Sequence, residues 1–349
     1  MTWTNLLMAW YKTNKRSFPW RKSRDPYKIW LSEIILQQTR IAQGTPFYTS
    51  FIEAFPTVND LAAADEQQVL KLWQGLGYYS RARNLHHTAQ IIVSQYNSVF
   101  PKTFEELLLL KGVGNYTASA ISSICFDEPQ AVVDGNVYRV LARYFGKETP
   151  IDASYALKEF KSLAKELMGT EVPGEFNQAL MEFGALQCTP KNPSCDTCPF
   201  QIKCVAFNQS LISKLPFKKG KIKVTSRHFN YLVFETPKKE TILTKRIKKD
   251  IWEQLYEFPL LESIEELTLK ELIADPLISN YTDANGVSIS KFNEKPIKHK
   301  LSHQQLYITF WKVNTERLMG PVVLGQDVCN YPVPIVLGKF IAIFYNSKP

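Results

Sequence analysis

Residues 110–119 read LKGVGNYTAS, and residues 133–144 read VDGNVYRVLARY. The first stretch sets Gly112 and Gly114 one residue apart between two helix-forming runs. Such spacing predicts a tight hairpin, because glycine enters the left-handed backbone region at little steric cost. The N–H groups of that turn and of the following helix N-terminus can hold a phosphate without a charged side chain. The same pattern also suits a plain helix–turn–helix. In the second stretch Asp134 directly precedes a helix. It either caps that helix or serves as a carboxylate kept ionised by the positive end of the helix dipole.

Outward from these segments the texture is helical. Periodic apolar runs at Ile29–Ile41, Glu66–Gly75, Ala82–Gln95 and Ala153–Met168 predict helices, and Pro56, Pro101 and Pro150 mark breaks. No period-two alternation occurs before Lys214. Beyond it, Phe229–Glu235 (FNYLVFE), Thr241–Lys245 and Gln304–Val313 read as strands, with a turn at Thr236–Glu240. The expected fold is an all-α domain over 1–215, a linker over 216–228, and an α/β domain over 229–349.

A chain of 349 residues suits two domains, and 45% apolar content supports a core in each. The net charge of +9 suits a polyanionic partner. Residues 1–215 hold 22 Lys and Arg against 19 Asp and Glu, while 216–349 hold 20 against 14. Much of that second excess is Lys218, Lys219, Lys221, Lys223 and Arg227, a stretch without an acid. It reads as a basic linker, either solvated or touching a DNA backbone. No run of 18 apolar residues exists, and MTWTNLLMAWYKTNKR lacks the order of a signal peptide. A monomeric, cytoplasmic, nucleoid-associated protein without a membrane partner is expected.

Cys188, Cys195, Cys198 and Cys204 follow C-x6-C-x2-C-x5-C. Four thiolates within 17 residues call for one compact ligand, either zinc or a four-iron–four-sulfur cluster. Only one pair is tight, which favours the cluster over paired zinc knuckles. Cys125 and Cys329 stand apart as packing residues.

Phe18–Thr39 reads FPWRKSRDPYKIWLSEIILQQT, and Gln74–Asn84 reads QGLGYYSRARN. With the hairpin, Asp134 and the cysteine spacing, these resemble the helix–hairpin–helix DNA glycosylases, in the iron–sulfur branch that contains the MutY-type adenine DNA glycosylases. The resemblance covers about residues 15–210. It implies that Glu33 protonates adenine at N7 and that Asp134 stabilises the sugar cation or attacks it. Tyr116 and Asn136 would assist. Gln37, Gln38 and Tyr78 would test the duplex, with Tyr78 as a wedge, and Gly112 and Gly114 would hold phosphate. The four cysteines would carry one [4Fe–4S] cluster. The partner would be double-stranded DNA with adenine opposite 8-oxoguanine or guanine.

Tyr116 and Tyr138 stand where lyase relatives place an attacking lysine, so the resemblance implies base removal without strand scission. Lys111 departs from the family's proline. Residues 252–259, WEQLYEFP, resemble a Nudix-like recognition module that lacks the pyrophosphohydrolase pattern. In 299–306, HKLSHQQL, Ser302 and His303 match lesion-recognition positions, while Leu301 replaces an aromatic residue. The competing readings are a glycosylase/lyase for oxidised pyrimidines, a non-catalytic damage sensor, and a zinc-stabilised module.

Overall fold

The computed structural model describes residues 2–220, 224–283 and 286–346. Lys221 and Lys223 of the basic stretch lie outside the described residues. The chain forms two compact units. One comprises Met1–Ala63 with Asn84–Gly220, the other Ala64–Arg83 with Lys221–Pro349.

The first unit is helical: α1 (Trp3–Asn14), α2 (Pro26–Leu36), α3 (Ile41–Ala54) and α4 (Val58–Ala63) precede the excursion α5 (Glu66–Leu72) into the second unit. The boundary between units falls inside α6 (Ser80–Gln95). Then follow α7 (Phe104–Leu108), α8 (Asn115–Phe126), α9 (Gly135–Phe145), α10 (Ala156–Met168), α11 (Pro173–Leu186) and α12 (Val205–Asn208). Local chemistry sets the ends. Asp25 caps α2, its carboxylate accepting from Tyr27 N at 2.9 Å with Pro26 in the first turn. Thr103 and Glu106 form a capping box on α7. Val137, Val140, Leu141, Phe176, Leu180 and Phe183 meet in the core between α9 and α11.

The apolar period running from Ile29 to Ile41 spans two helices rather than one. The helix stops at Leu36, Gln38 turns left-handed (φ 54°), and α3 begins at Ile41. Polar Gln37–Arg40 offers nothing to bury, so the chain turns there.

The iron–sulfur expectation is corrected. Among the described residues no group of three or more His, Cys, Asp or Glu side chains could hold a metal ion. The first unit is therefore all-α without a metal loop among the described residues. Cys188, Cys195, Cys198 and Cys204 are free thiols. Burial pushes the Cys198 thiol up to about 11 and raises those of Cys195 and Cys204, with the neighbouring cysteines adding to the rise. Hydrogen bonds shape the loop instead. Arg143 donates to the carbonyls of Thr189 (2.7 Å) and Pro190 (3.1 Å), and Arg139 donates to that of Cys188 (2.7 Å). Cys188, Cys198 and Cys204 pack against the core as small apolar side chains.

The start of the basic stretch lies on this unit. Ile151 N donates to Phe217 O at 2.9 Å, and the Asp152 carboxylate accepts from Lys219 N and Gly220 N.

In the second unit the strands are β1 (Thr225–Glu235), β2 (Glu240–Thr241), β3 (Thr244–Lys245), β4 (Tyr256–Glu257), β5 (Leu260–Ser263), β6 (Ser288–Lys291), β7 (Ile297–Lys300), β8 (Gln304–Asn314) and β9 (Val323–Leu324). The main sheet runs β5-β1-β8-β6, with β7 also on β8. Its centre is the parallel pair β1/β8, flanked by antiparallel β5, β6 and β7. The single strand expected over Thr241–Lys245 divides, β2 pairing with β9 and β3 with β4. Odd residues of β1 (Phe229, Tyr231, Val233) pack under α14 (Ile335–Asn346). Even residues (Leu232, Phe234) pack with α13 (Leu269–Ala274) through Leu272.

Candidate active site

Glu33 lies on α2 between buried Ser32 and Ile34. Asp134 is the N-cap of α9, its Oδ1 accepting from the N–H groups of Asn136 (2.9 Å) and Val137 (2.8 Å). Both open on one cavity of about 210 Å³, which Tyr116 and Asn136 also line. Phe18, Trp20, Ile29 and Met181 form the apolar part of its wall, and Arg16, Arg21 and Gln178 stand among its other polar lining residues.

The electrostatics follow from that wall. Burial pushes the Glu33 carboxyl up to about 7; a hydrogen bond from Tyr116 opposes the rise and the Asp134 charge adds to it. Burial also raises Asp134, and the hydrogen bonds from Val137 and Asn136 only partly offset this. The sequence reading, in which the helix end holds Asp134 low, is thus reversed in direction: desolvation exceeds the cap. Asn136 Nδ2 donates to Asp134 Oδ2 at 2.7 Å, while its Oδ1 accepts from Arg139 at 2.8 Å. The start of α9 sits hard against α11. A Cβ on Gly184 would meet Asn136 Cβ at 2.6 Å, so only glycine fits there.

Sequence reasoning missed a third carboxylate. Glu182, 2% exposed, lines the same cavity. Burial alone would raise it, but Arg16 and Arg21 hold it down at about 2. Arg16 grips it through its backbone N (3.0 Å), Nε (2.8 Å) and Nη2 (3.0 Å), and Arg21 through Nη2 (3.0 Å). These partners lie more than 160 positions apart in the chain, so no local pattern announces them.

Gln37 and Gln38 do not line the cavity. Gln37 donates to Thr117 Oγ1 at 3.3 Å, and Gln38 is exposed. At the hairpin, Gly112 has φ +80°, and a Cβ there would meet Asn84 Cβ at 2.8 Å. Thr88 Oγ1 donates to Lys111 O at 2.7 Å, and α8 starts at Gly114 without a side-chain cap.

Tyr78, Ser302 and His303 line a separate cavity of about 450 Å³ within the second unit, together with Ile251, Trp252 and Leu301. The Tyr78 hydroxyl meets Ser302 Oγ. Tyr78 is 46% exposed and left-handed (φ 49°), presented by a turn closed by the bond from Trp73 Nε1 to Gly77 O (3.0 Å).

A family model for the HhH-GPD superfamily base excision DNA repair proteins matches residues 31–166, and one for the NUDIX domain matches 230–342. The adenine DNA glycosylase of Buchnera aphidicola subsp. Baizongia pistaciae is 34% identical over 304 residues, 86% of this chain and 83% of that one. The chain belongs to the adenine DNA glycosylases. The Rattus norvegicus adenine DNA glycosylase is 44% identical over 222 residues, 60% of this chain and 43% of its own. A solved thermostable thymine-DNA glycosylase shares 30% identity with a TM-score of 0.55, covering 59% of this chain and 95% of that one. This adenine DNA glycosylase is therefore a DNA-binding N-glycosylase, a hydrolase of the base–sugar bond in base excision repair. Among the described residues no helix is long and apolar enough to cross a membrane.

Proposed function

We propose that the enzyme removes adenine paired with 8-oxoguanine or guanine in duplex DNA and leaves the strand unbroken. The observation that carries this reading is the pair Glu33 and Asp134, opening on one cavity with Glu33 raised by burial to about 7. A carboxyl near neutral pKa is protonated often enough to act as an acid and gives up its proton readily. Glu33, bonded to the Tyr116 hydroxyl, donates a proton to adenine N7, and the base departs neutral. Asp134, ionised, offsets the positive charge left on the sugar, and Asn136 with Arg139 keeps its carboxylate aimed. Water adds at the anomeric carbon and passes its proton to a carboxylate.

Hydrolysis without scission is supported by the absence of lysine among the cavity's lining residues. Tyr138, the other place for an attacking amine, packs edge-on against Phe160. The aromatic wedge Tyr78 and the adjoining Ser302 and His303 support reading of the opposite base in the second cavity. The test is excision from duplexes with adenine opposite 8-oxoguanine, guanine, cytosine or thymine, worked up with and without alkali. Expected are fast excision opposite 8-oxoguanine and guanine, and strand breaks only after alkali. Breaks without alkali, or trapping by borohydride, would overturn hydrolysis; equal rates on all four would overturn the substrate.

A further inference from the structure

The sheet of the second unit is covered unevenly. On the side facing α13, apolar cover reaches Leu232 on β1 and Trp311 on β8, which are paired in register. Next come Asn230 and Thr309, both buried; Asn230 Oδ1 accepts from Trp311 Nε1 at 3.1 Å and closes the core with a polar contact. Two further rows on this face carry no apolar cover. In one, Lys298, Tyr307 and His228 stand side by side on β7, β8 and β1; in the other, Lys300, Gln305 and Ser226 do.

These rows have a definite chemistry. His228 stacks on Tyr307 with ring centroids 4.8 Å apart at 12°, and Lys298 Nζ lies 5.8 Å from the Tyr307 centroid. No position in the two rows is a carboxylate. Both lysines are exposed, and neither forms a salt bridge among the described residues, whereas Lys291 farther along the sheet is neutralised by Glu266 at 2.9 Å. Lysines on an edge strand commonly guard against strand pairing. That role does not account for an aromatic–imidazole stack beside them, nor for the position of Lys300, which also lines the cavity of Tyr78, Ser302 and His303. Strand β7 runs from Lys298 through Lys300 straight into the turn Leu301–Gln304, closed by Leu301 N to Gln304 O at 2.8 Å.

We propose that this uncovered face is a phosphate-binding platform for the DNA strand carrying the base opposite adenine. Lys298 and Lys300 neutralise backbone phosphates beside that base, and the Tyr307 hydroxyl and the amide of Gln305 donate to phosphate oxygens. The choice of strand rests on the proposal that the adjoining cavity reads the opposite base; the charge complementarity does not.

The test is Lys298→Gln with Lys300→Gln, measured as affinity for a duplex with adenine opposite 8-oxoguanine across a salt series. Each phosphate contact contributes about 0.9 to the slope of log K against log salt, so the slope should shallow by about 2. Lys298→Arg with Lys300→Arg should restore it. Lys238→Gln with Lys270→Gln removes the same charge elsewhere on the unit and should leave the slope unchanged. An unchanged slope in the first variant, or an equal drop in the control pair, overturns the platform. The preference for 8-oxoguanine over guanine should survive in Lys298→Gln alone, which does not line that cavity, and fall in Ser302→Ala with His303→Ala. If the serine–histidine variant keeps its preference while the lysine slope still drops, the platform stands and the reading of the cavity falls.

Discussion

The two cavities of this glycosylase are built on opposite plans. The first is set by helices α2, α8, α9 and α11, and no lining residue has a left-handed backbone. What it holds under tension is charge: Glu33 up near 7, Asp134 raised, Glu182 down near 2. The second is lined largely from loops. Gly77, Tyr78 and Trp252 on its wall have φ of 75°, 49° and 62°. There the unfavourable state sits in the backbone. Bond cleavage needs carboxyls fixed in geometry and shifted in pKa, and helices hold side chains rigidly in an apolar wall. Reading a base needs an aromatic and polar groups thrown outward, and tight turns do that at the cost of backbone strain. The comparison predicts that substitutions in the first cavity change rate, stability and pH response, while those in the second act through backbone conformation.

The largest effect should come from Asp134→Asn and Glu33→Gln. The first keeps the cap on α9 but removes the charge that offsets the sugar cation, at a cost of at least ~10²-fold in single-turnover rate. The second removes the transferable proton, for a loss on the order of 10²–10⁴-fold. Duplex affinity should be retained in both, measured by mobility shift. Near-wild-type rates in Asp134→Asn would remove the first cavity from the chemistry.

Glu182→Gln should come next. It leaves Arg16 and Arg21 without their anion, and breaking a buried pair in this way costs about 3 kcal/mol. The half-exposed Arg16 keeps the cost at the lower end. The folded Glu182 lies below its ordinary value of 4.5, near 2. Its stabilisation is therefore complete above about 4.5 and is lost as pH falls toward 2. Denaturant melts should show the wild type losing stability across that window, with the variant already low and flatter. Parallel pH curves for the two proteins would deny the clamp its energetic role.

The pH–rate profile is expected to be bell-shaped. Catalysis needs Glu33 protonated, so the rate falls about tenfold per pH unit above about 7. It also needs Asp134 ionised, and because burial raises that carboxyl, the acid limb should lie above the ordinary aspartate range. The two groups face one cavity, and the limbs belong to the pair. A rate still rising well above pH 7 would contradict Glu33 as the acid.

These charges explain what the sequence could and could not reveal. Glu33 and Asp134 stand in quotable stretches, and the switch of texture after Lys214 marks the change from helical to α/β structure, because period and turn chemistry are local. The clamp on Glu182 was invisible, since its partners come from opposite ends of the first unit. The direction of the Asp134 shift was missed because a cap is readable from sequence and the depth of burial is not. The cysteine spacing suggested a metal loop, yet spacing alone does not arrange thiols as ligands around one ion. The affiliation of Ala64–Arg83 with the second unit likewise depends on tertiary contacts, such as Lys71 Nζ to Tyr331 O at 3.2 Å and Arg83 Nη1 to Glu253 O at 2.7 Å.

The smallest effect tests the strained side of the comparison. Gln254 has φ +69° one position past Glu253, whose backbone and carboxylate Arg83 holds. Its N–H donates to Arg246 O at 2.7 Å, and Leu255 N to Trp252 O at 3.1 Å, so the loop cannot relax out of the left-handed region without losing both bonds. A side chain there costs about 1 kcal/mol or somewhat more. Gln254→Gly relieves that cost but gives the unfolded chain more freedom, which returns roughly 0.4–1 kcal/mol. The net expectation is a gain of about 0.5 kcal/mol, read as a melting temperature higher by about 1–2 °C. The same substitution at a helical position lining the first cavity, Ala185→Gly, should instead lower stability by about 1 kcal/mol, because glycine there brings freedom without relieving strain. Two losses of equal size would show that Gln254 is held by its side chain and that the loop stores no strain; a gain beside a loss would separate the two building plans by sign.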